Sequence, residues 1–131
     1  AELIVFCFKG KCMKIVEKPW GREEWLELND SYCFKRLLIN AGQRTSLQYH
    51  HHKLETIYVA AGRAEVLLDD EWKTVVAGDY FTVTPPTVHR MVAKTDLILH
   101  EVSTPQVDDV VRLADDHARP DGRIDTEHDN A

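Results

Sequence analysis

The sequence predicts an all-β protein that folds as a single domain. From Lys14 to about Val111, short runs rich in β-branched and aromatic residues alternate with glycine, proline and aspartate turns, which is the pattern of consecutive short strands. Helical periodicity does not extend beyond a turn or two in this region. A chain of 131 residues is long enough for one hydrophobic core and too short for two ordinary ones. Roughly ten short strands of this kind indicate a β-sandwich or a closed barrel.

Recognisable turns separate the predicted strands. The strands cover residues 23–28, 32–40, 45–50, 55–60, 63–68, 72–76, 80–83, 88–93 and 97–102. The acidic stretch 69–71 joins two of them as a hairpin. Pro85 and Pro86 are expected to lie in a stiff linker between strands. A proline cannot donate to a central ladder of hydrogen bonds.

We expect residues 13–113 to form the β-barrel domain. Met13 begins a stretch that is typical of a natural protein start, so residues 1–12 are expected to be an N-terminal extension with its own small strand. After Val111 the chain has almost no apolar residue to bury, so residues 114–131 are expected to be an extended or mobile tail. Residues 108–113 are expected to make one helical turn at most.

Charge and hydropathy exclude two classes of partner. The net charge of −6 gives no general field that attracts phosphate, so we expect no nucleic acid partner. A local cluster of lysine and arginine can still bind an anionic ligand. The apolar opening, residues 3–8, is far shorter than the ~20 residues that a membrane-spanning helix needs, so we expect no membrane partner.

Cysteine usage favours a reducing compartment. Cys7, Cys12 and Cys33 cannot all pair within one chain, and none lies in a Cys-x-x-Cys arrangement. We therefore expect reduced cysteines and a cytoplasmic location.

Four of the seven histidines lie in a candidate metal-binding constellation. A run of three histidines begins at His50 and is followed by Glu55, and His89 opens a later strand. Alternate residues of a strand face the same side, so Gln48 and His50 can point together, and His52 can continue that face. Imidazole and carboxylate are the usual ligands of a divalent transition metal. A histidine-rich surface turn is the alternative interpretation.

Two stretches, residues 42–62 and 78–89, resemble the two cupin motifs. Six residues separate Glu55 from Gly62, as in the first motif, and this register places the two preceding ligand positions on Gln48 and His50. Gln48 stands where most cupins have histidine, and a Gln-x-His pair is typical of the phosphomannose isomerase branch. The chain is similar to the C-terminal cupin domain of bifunctional mannose-6-phosphate isomerase and mannose-1-phosphate guanylyltransferase proteins. The further similar stretches are Lys18-Pro19-Trp20-Gly21, Ser46-Leu47-Gln48, Val88-His89-Arg90, Glu101-Val102 and Asp108-Asp109-Val110-Val111-Arg112.

This resemblance implies a small jelly-roll barrel that holds a divalent metal. The implied ligands are Gln48, His50, Glu55 and His89, with His52 as the alternative to Gln48. Such a ligand set suits zinc best, and manganese, iron or nickel are alternatives.

The resemblance also implies a metal-dependent sugar-phosphate isomerase of the mannose-6-phosphate type. A metal ion stabilises the enediolate formed when a proton moves between C1 and C2, and a general base must move that proton. We take Glu101 and Lys35 as the candidate catalytic residues. Glu101 and His100 alternate along one strand, so only one of them can face the barrel interior.

Two other functions remain open at this stage. The first is a non-catalytic cupin that binds a sugar or a nucleotide sugar. The second, which the glutamine ligand makes less attractive, is a cupin dioxygenase. The expected partner is therefore a small sugar phosphate or nucleotide sugar, and the apolar N-terminal strand allows a homodimer by strand exchange.

Overall fold

A computed structural model describes residues 7–129 of the chain. Between these residues it has thirteen β-strands and one four-residue helix, which confirms the all-β prediction. In chain order the elements are β1 (Cys7–Phe8), β2 (Lys11–Cys12), β3 (Lys14–Lys18), β4 (Gly21–Leu28), β5 (Cys33–Ile39), β6 (Leu47–Tyr49), β7 (Glu55–Ala61), β8 (Arg63–Leu68), β9 (Glu71–Val76), β10 (Tyr80–Val83), β11 (His89–Ala93), β12 (Leu97–Ser103), β13 (Val111–Ala114) and α1 (Asp125–His128).

Within the described residues, the strands form one hairpin and two larger antiparallel sheets. β1 pairs with β2. One large sheet has the strand order β10-β7-β12-β5-β4-β3, and the other has the order β13-β6-β11-β8-β9. The chain crosses repeatedly between the two sheets, which is the connectivity of a jelly roll. The core between them consists of Trp20, Leu37, Ile39, Ile57, Val59, Ala64, Val66, Val75, Met91, Ala93, Leu97 and Leu99.

The inner face of the six-stranded sheet changes from apolar to polar along its central strands. Burial alternates residue by residue along β5 and along most of β7 and β12, so one side of each strand faces the interior. Leu99 of β12 lies opposite Leu37 of β5, but the next inward pair is Glu101 opposite Lys35. A cavity with charged walls therefore begins where the apolar core ends.

Gly62 closes the turn between β7 and β8 for a steric reason. Its φ is +93°, and a Cβ at this position would lie 2.2 Å from the carbonyl oxygen of Asp96. Any other residue would force the backbone of the next turn to move. This close approach explains why the first motif ends in glycine.

The C-terminal region contacts the barrel through a strand and a short helix. Residues 111–114 pair with β6 as a strand, and residues 108–113 contain no helix, which is within the expected limit of one helical turn. Residues 115–129, which we call the C-terminal segment, run on to α1, and His128 packs edge-on against Trp25 at 5.4 Å between ring centroids. This segment has no large apolar face among its described residues, and ion pairs and a ring contact hold it against the barrel.

The N-terminal hairpin contains a bond that the sequence did not lead us to expect. Cys7 lies opposite Cys12 across β1 and β2, and the two form a disulfide. The expectation that all cysteines are reduced is therefore wrong for this pair, whereas Cys33 is free and buried. The predicted N-terminal strand lies partly outside the described residues. Among residues 7–129, no helix has the length and apolar character needed to cross a membrane.

Candidate metal centre

His50, Glu55 and His89 meet at the polar end of the interior. His50 follows β6, Glu55 begins β7 and His89 begins β11. The Oε1 atom of Glu55 lies 3.3 Å from Nε2 of His89 and 3.7 Å from Nε2 of His50. One ligand atom from each of the three residues lies within 4.8 Å of the others, and all three side chains are buried. This group could hold a single metal ion.

Hydrogen bonds fix the orientation of both imidazoles. His50 donates from Nδ1 to the carbonyl of Asp109 at 2.6 Å, and His89 donates from Nδ1 to the carbonyl of Thr87 at 2.9 Å. Because a carbonyl can only accept, Nδ1 of each ring carries a proton, and Nε2 of each ring faces Glu55. Within the described residues, Nε2 of His50 is buried and has no hydrogen-bond partner. A buried unpartnered nitrogen beside a carboxylate fits a metal ligand.

The two candidates for the remaining ligand position lie in different places. Nε2 of Gln48 lies 3.4 Å from Nε2 of His89, and Oε1 of Gln48 accepts a hydrogen bond from Ser46 at 2.8 Å. His52 is exposed, and its backbone N–H donates to the carboxylate of Asp109. The Gln48 amide therefore lies beside the group, whereas the His52 side chain lies on the surface.

Lys53 links Glu55 to Glu101 inside the barrel. Its ammonium lies 3.0 Å from Oε2 of Glu55 and 3.2 Å from Oε2 of Glu101, so Oε1 of Glu55 remains directed at the imidazoles. Burial opposes ionisation of Glu55, but Lys53 and the two histidines hold its pKa well below the usual value. Burial and the charge of Glu55 raise the pKa of Glu101. His100 lies on the outer face, stacked on Tyr58.

Lys35 is also inside the barrel, one strand away from Glu101. Its ammonium lies 3.3 Å from Glu23 and 4.1 Å from the ring centroid of Trp25. Trp25 donates its indole N–H to Glu23 at 2.9 Å. Burial raises the pKa of Glu23, but Lys35, Lys18 and this indole outweigh it and lower the pKa to about 2. Lys35 is therefore a buried cation that is paired with the carboxylate of Glu23.

Asp109 is a site residue to which the sequence assigned no role. Its carboxylate accepts backbone N–H groups of His51 at 3.0 Å, His52 at 2.7 Å and Lys53 at 3.0 Å. Burial opposes ionisation, but these three donors lower the pKa of Asp109 to about 2. Asp109 thus shapes the turn that follows His50 while its carbonyl orients the ring. Its place in the similar stretch 108–112 was the only sequence signal for it.

One cavity connects these groups with the C-terminal segment. Its volume is about 70 Å³, which is room for a few waters. The charged and polar residues in its wall are Lys18, Glu23, Lys35, Thr45, Ser46, Gln48, His50, Lys53, Glu55, Glu101, Arg112, Arg119, Arg123 and His128. Gln48, His50 and Glu55 therefore face a small space that is lined by cations on several sides.

The two facing antiparallel sheets, with their His-Glu-His group, define a cupin. A solved RmlC-like cupin from Shewanella frigidimarina has a TM-score of 0.67 and 26% identity to this chain, and the match covers 76% of this chain and 89% of that one. KdgF from a Halomonas species has the same fold, with a TM-score of 0.63, 22% identity, and coverage of 70% of this chain and 84% of that one.

The sequence relatives define the family more closely. A family model described as "Mannose-6-phosphate isomerase C-terminal" matches residues 9–115, and the chain belongs to this family. The mannose-1-phosphate guanylyltransferase of Escherichia coli is 34% identical over 109 residues. The alginate biosynthesis protein AlgA of Pseudomonas aeruginosa is 30% identical over 109 residues. Each match covers 79% of this chain and 23% of the relative, so the chain spans about a quarter of their length.

Proposed function

We propose that this cupin is a metal-dependent isomerase that interconverts an aldose phosphate and a ketose phosphate, with mannose 6-phosphate as its aldose substrate. The observation that carries the proposal is the buried group of His50, Glu55 and His89 beside Gln48. Membership of the mannose-6-phosphate isomerase C-terminal family supports the choice of sugar. The glutamine, two imidazoles and carboxylate suit zinc best among the divalent metals.

A divalent ion held by these four residues would supply Lewis-acid stabilisation of charge on the sugar oxygens. The residues of the chain prepare the site for it. Asp109 and Thr87 orient the imidazoles, and Lys53 holds one oxygen of Glu55 so that the other faces the histidines. Fixed orientation lowers the reorganisation that binding and reaction require.

Glu101 is the best-placed general base of the cavity. It is buried in the cavity wall, and Lys53 fixes its position. Burial and Glu55 raise its pKa, which makes the carboxylate a stronger proton acceptor from a sugar carbon. The carboxylic acid that forms then returns this proton to the neighbouring carbon. Lys35 lies opposite Glu101 on the neighbouring strand β5. As a cation it is suited to hold a substrate oxygen.

The direct test is an assay of the zinc-loaded or manganese-loaded chain for conversion of mannose 6-phosphate to fructose 6-phosphate. The proposal predicts turnover that a chelator abolishes and that the metal restores. Binding of the sugar phosphate without turnover under any divalent metal would instead identify a non-catalytic sugar-binding cupin. Substrate-dependent oxygen consumption would identify a dioxygenase.

A further inference from the structure

We propose that Lys18 and Arg119 form an anion-binding site in the cavity wall, and that the carboxylate of Glu127 occupies this site in the free protein. The anion that displaces Glu127 is the phosphate of a sugar phosphate. The choice of sugar rests on the proposed function, whereas the anion site rests on its own geometry. Glu127 and Arg119 lie beyond the family match, which ends at residue 115.

Glu127 is held by two buried cations from different parts of the chain. Nζ of Lys18, on β3, lies 3.2 Å from Oε1 of Glu127, and Nη1 of Arg119 lies 3.3 Å from the same oxygen. The Lys18, Arg119 and Glu127 side chains are 7%, 9% and 12% exposed. Convergence of an ammonium and a guanidinium on one oxygen is the arrangement that binds a phosphate oxygen.

Arg119 is held by a second carboxylate besides that of Glu127. The carboxylate of Asp115 accepts from Nε of Arg119 at 3.0 Å, from its Nη2 at 2.9 Å and from its backbone N–H at 2.7 Å. This bidentate pair leaves Nη1 directed at Glu127. Departure of Glu127 would therefore leave a preformed donor rather than a collapsed side chain.

Arg112 adds positive charge to the same cavity wall. Its Nη1 donates to the backbone carbonyls of Pro120 and Gly122. Among the described residues its Nε is buried without a hydrogen-bond partner. The carboxylates of Asp115, Glu127 and Asp121 also act on this guanidinium, so departure of Glu127 would leave it less compensated and would favour an anion in the cavity.

The segment that carries Glu127 is suited to release this carboxylate when another anion binds. α1 has four residues, and its N-cap Ile124 makes no side-chain hydrogen bond. A helix this short is unstable without tertiary contacts. A phosphate carries about two charges and more acceptor oxygens than a carboxylate, so it would compete well for Lys18 and Arg119.

The test measures affinity for inorganic phosphate by isothermal titration calorimetry on the full chain, with equal metal content checked in every variant. We expect Glu127→Gln to bind phosphate about five- to tenfold more tightly, because the competing carboxylate is gone. We expect Lys18→Met to bind at least about tenfold more weakly. Mannose 6-phosphate should follow the same order, whereas mannose should show no dependence on either substitution.

Glu71→Gln and Lys73→Met are matched controls, since they make the same charge changes on the exposed strand β9. Thermal melting of each variant checks that it is folded. Phosphate affinity equal to wild type in both Glu127→Gln and Lys18→Met would overturn the proposal. The isomerase assay separates the two proposals, because the phosphate shifts are expected even if no turnover is found, and turnover with unchanged phosphate affinities would refute only the anion site.

Discussion

Two buried groups of charges in the same cavity differ in the ratio of carboxylates to cations. In one group, Lys53 is shared by Glu55 and Glu101. In the other, Glu23 is faced by Lys35 and Lys18 and accepts the indole N–H of Trp25. The pKa of Glu101 is raised by burial and by the charge of Glu55, whereas the cations lower the pKa of Glu23 to about 2.

This difference distinguishes a carboxylate that is suited to proton transfer from one that is suited to stabilising the fold. A carboxylate whose charge is incompletely compensated can accept and return a proton, and it lies on the side of the candidate metal centre. A carboxylate with surplus cations stays ionised and stabilises the fold. Glu101 is therefore the expected proton carrier, and Glu23 is expected to anchor Lys35.

The largest expected effect is on turnover in Glu101→Gln. Removal of a general base should lower kcat by about 10²–10⁴-fold, while metal content stays at the wild-type level. The active form of the wild type needs the ionised carboxylate of Glu101. The pKa of Glu101 is raised above the ordinary 4.5, so activity should fall as the pH decreases through this raised pKa. Steady-state assays across pH check both points.

His100→Gln is the matched control, since the neighbouring side chain lies on the outer face. It should leave the pH profile unchanged. A Glu101→Gln variant with wild-type kcat would remove Glu101 from the mechanism.

The second effect is on stability in Glu23→Gln. A shift of the pKa from 4.5 to about 2 corresponds to roughly 3 kcal/mol. This contribution is fully present above about pH 4.5 and is lost as the pH falls towards 2. Urea unfolding should show a destabilised variant at pH 7 and a smaller difference from wild type at pH 3.

Glu27→Gln, an exposed position on the same strand, should change the free energy of unfolding by less than about 0.5 kcal/mol. Equal stability of Glu23→Gln and wild type at pH 7 would show that the cations around Glu23 do not stabilise the fold.

The third effect is on metal affinity in Asp109→Asn. Loss of the carboxylate weakens the three backbone hydrogen bonds that shape the turn after His50. Residues that orient a ligand typically contribute 10–100-fold to affinity, so we expect zinc affinity to fall by about that factor. Competition with a chromophoric chelator measures it.

The exposed neighbour Asp108 supplies the control, and Asp108→Asn should bind zinc as wild type does. An unchanged affinity in Asp109→Asn would mean that the turn holds its shape without the carboxylate.

Alternation and motif register predicted the parts of the molecule that depend on local sequence. A strand period of two requires that only one of Glu101 and His100 faces the interior, and the structure has Glu101 there. The register before Gly62 predicted Glu55 and His50 as ligands, and both lie in the buried His-Glu-His group. These predictions need only neighbouring residues.

The remaining parts depend on contacts between distant residues. β13 has four residues and pairs with β6 through backbone groups, and a strand this short carries little periodic signal. The role of Asp109 depends on N–H groups more than fifty residues away in the chain. Glu127 and Lys18 form an ion pair although they are 109 residues apart in the chain. An ion pair between such distant residues leaves no periodic pattern in the sequence.

The most direct test of the metal centre is zinc stoichiometry in the full chain. Wild type, His51→Ala and His52→Ala should each bind one ion per chain with similar affinity, because His51 and His52 are exposed. Glu55→Gln and His89→Ala should lose at least about 100-fold in affinity, with folding checked by thermal melting. Wild-type zinc affinity in His89→Ala, or loss of binding in His52→Ala alone, would contradict a centre built from His50, Glu55 and His89.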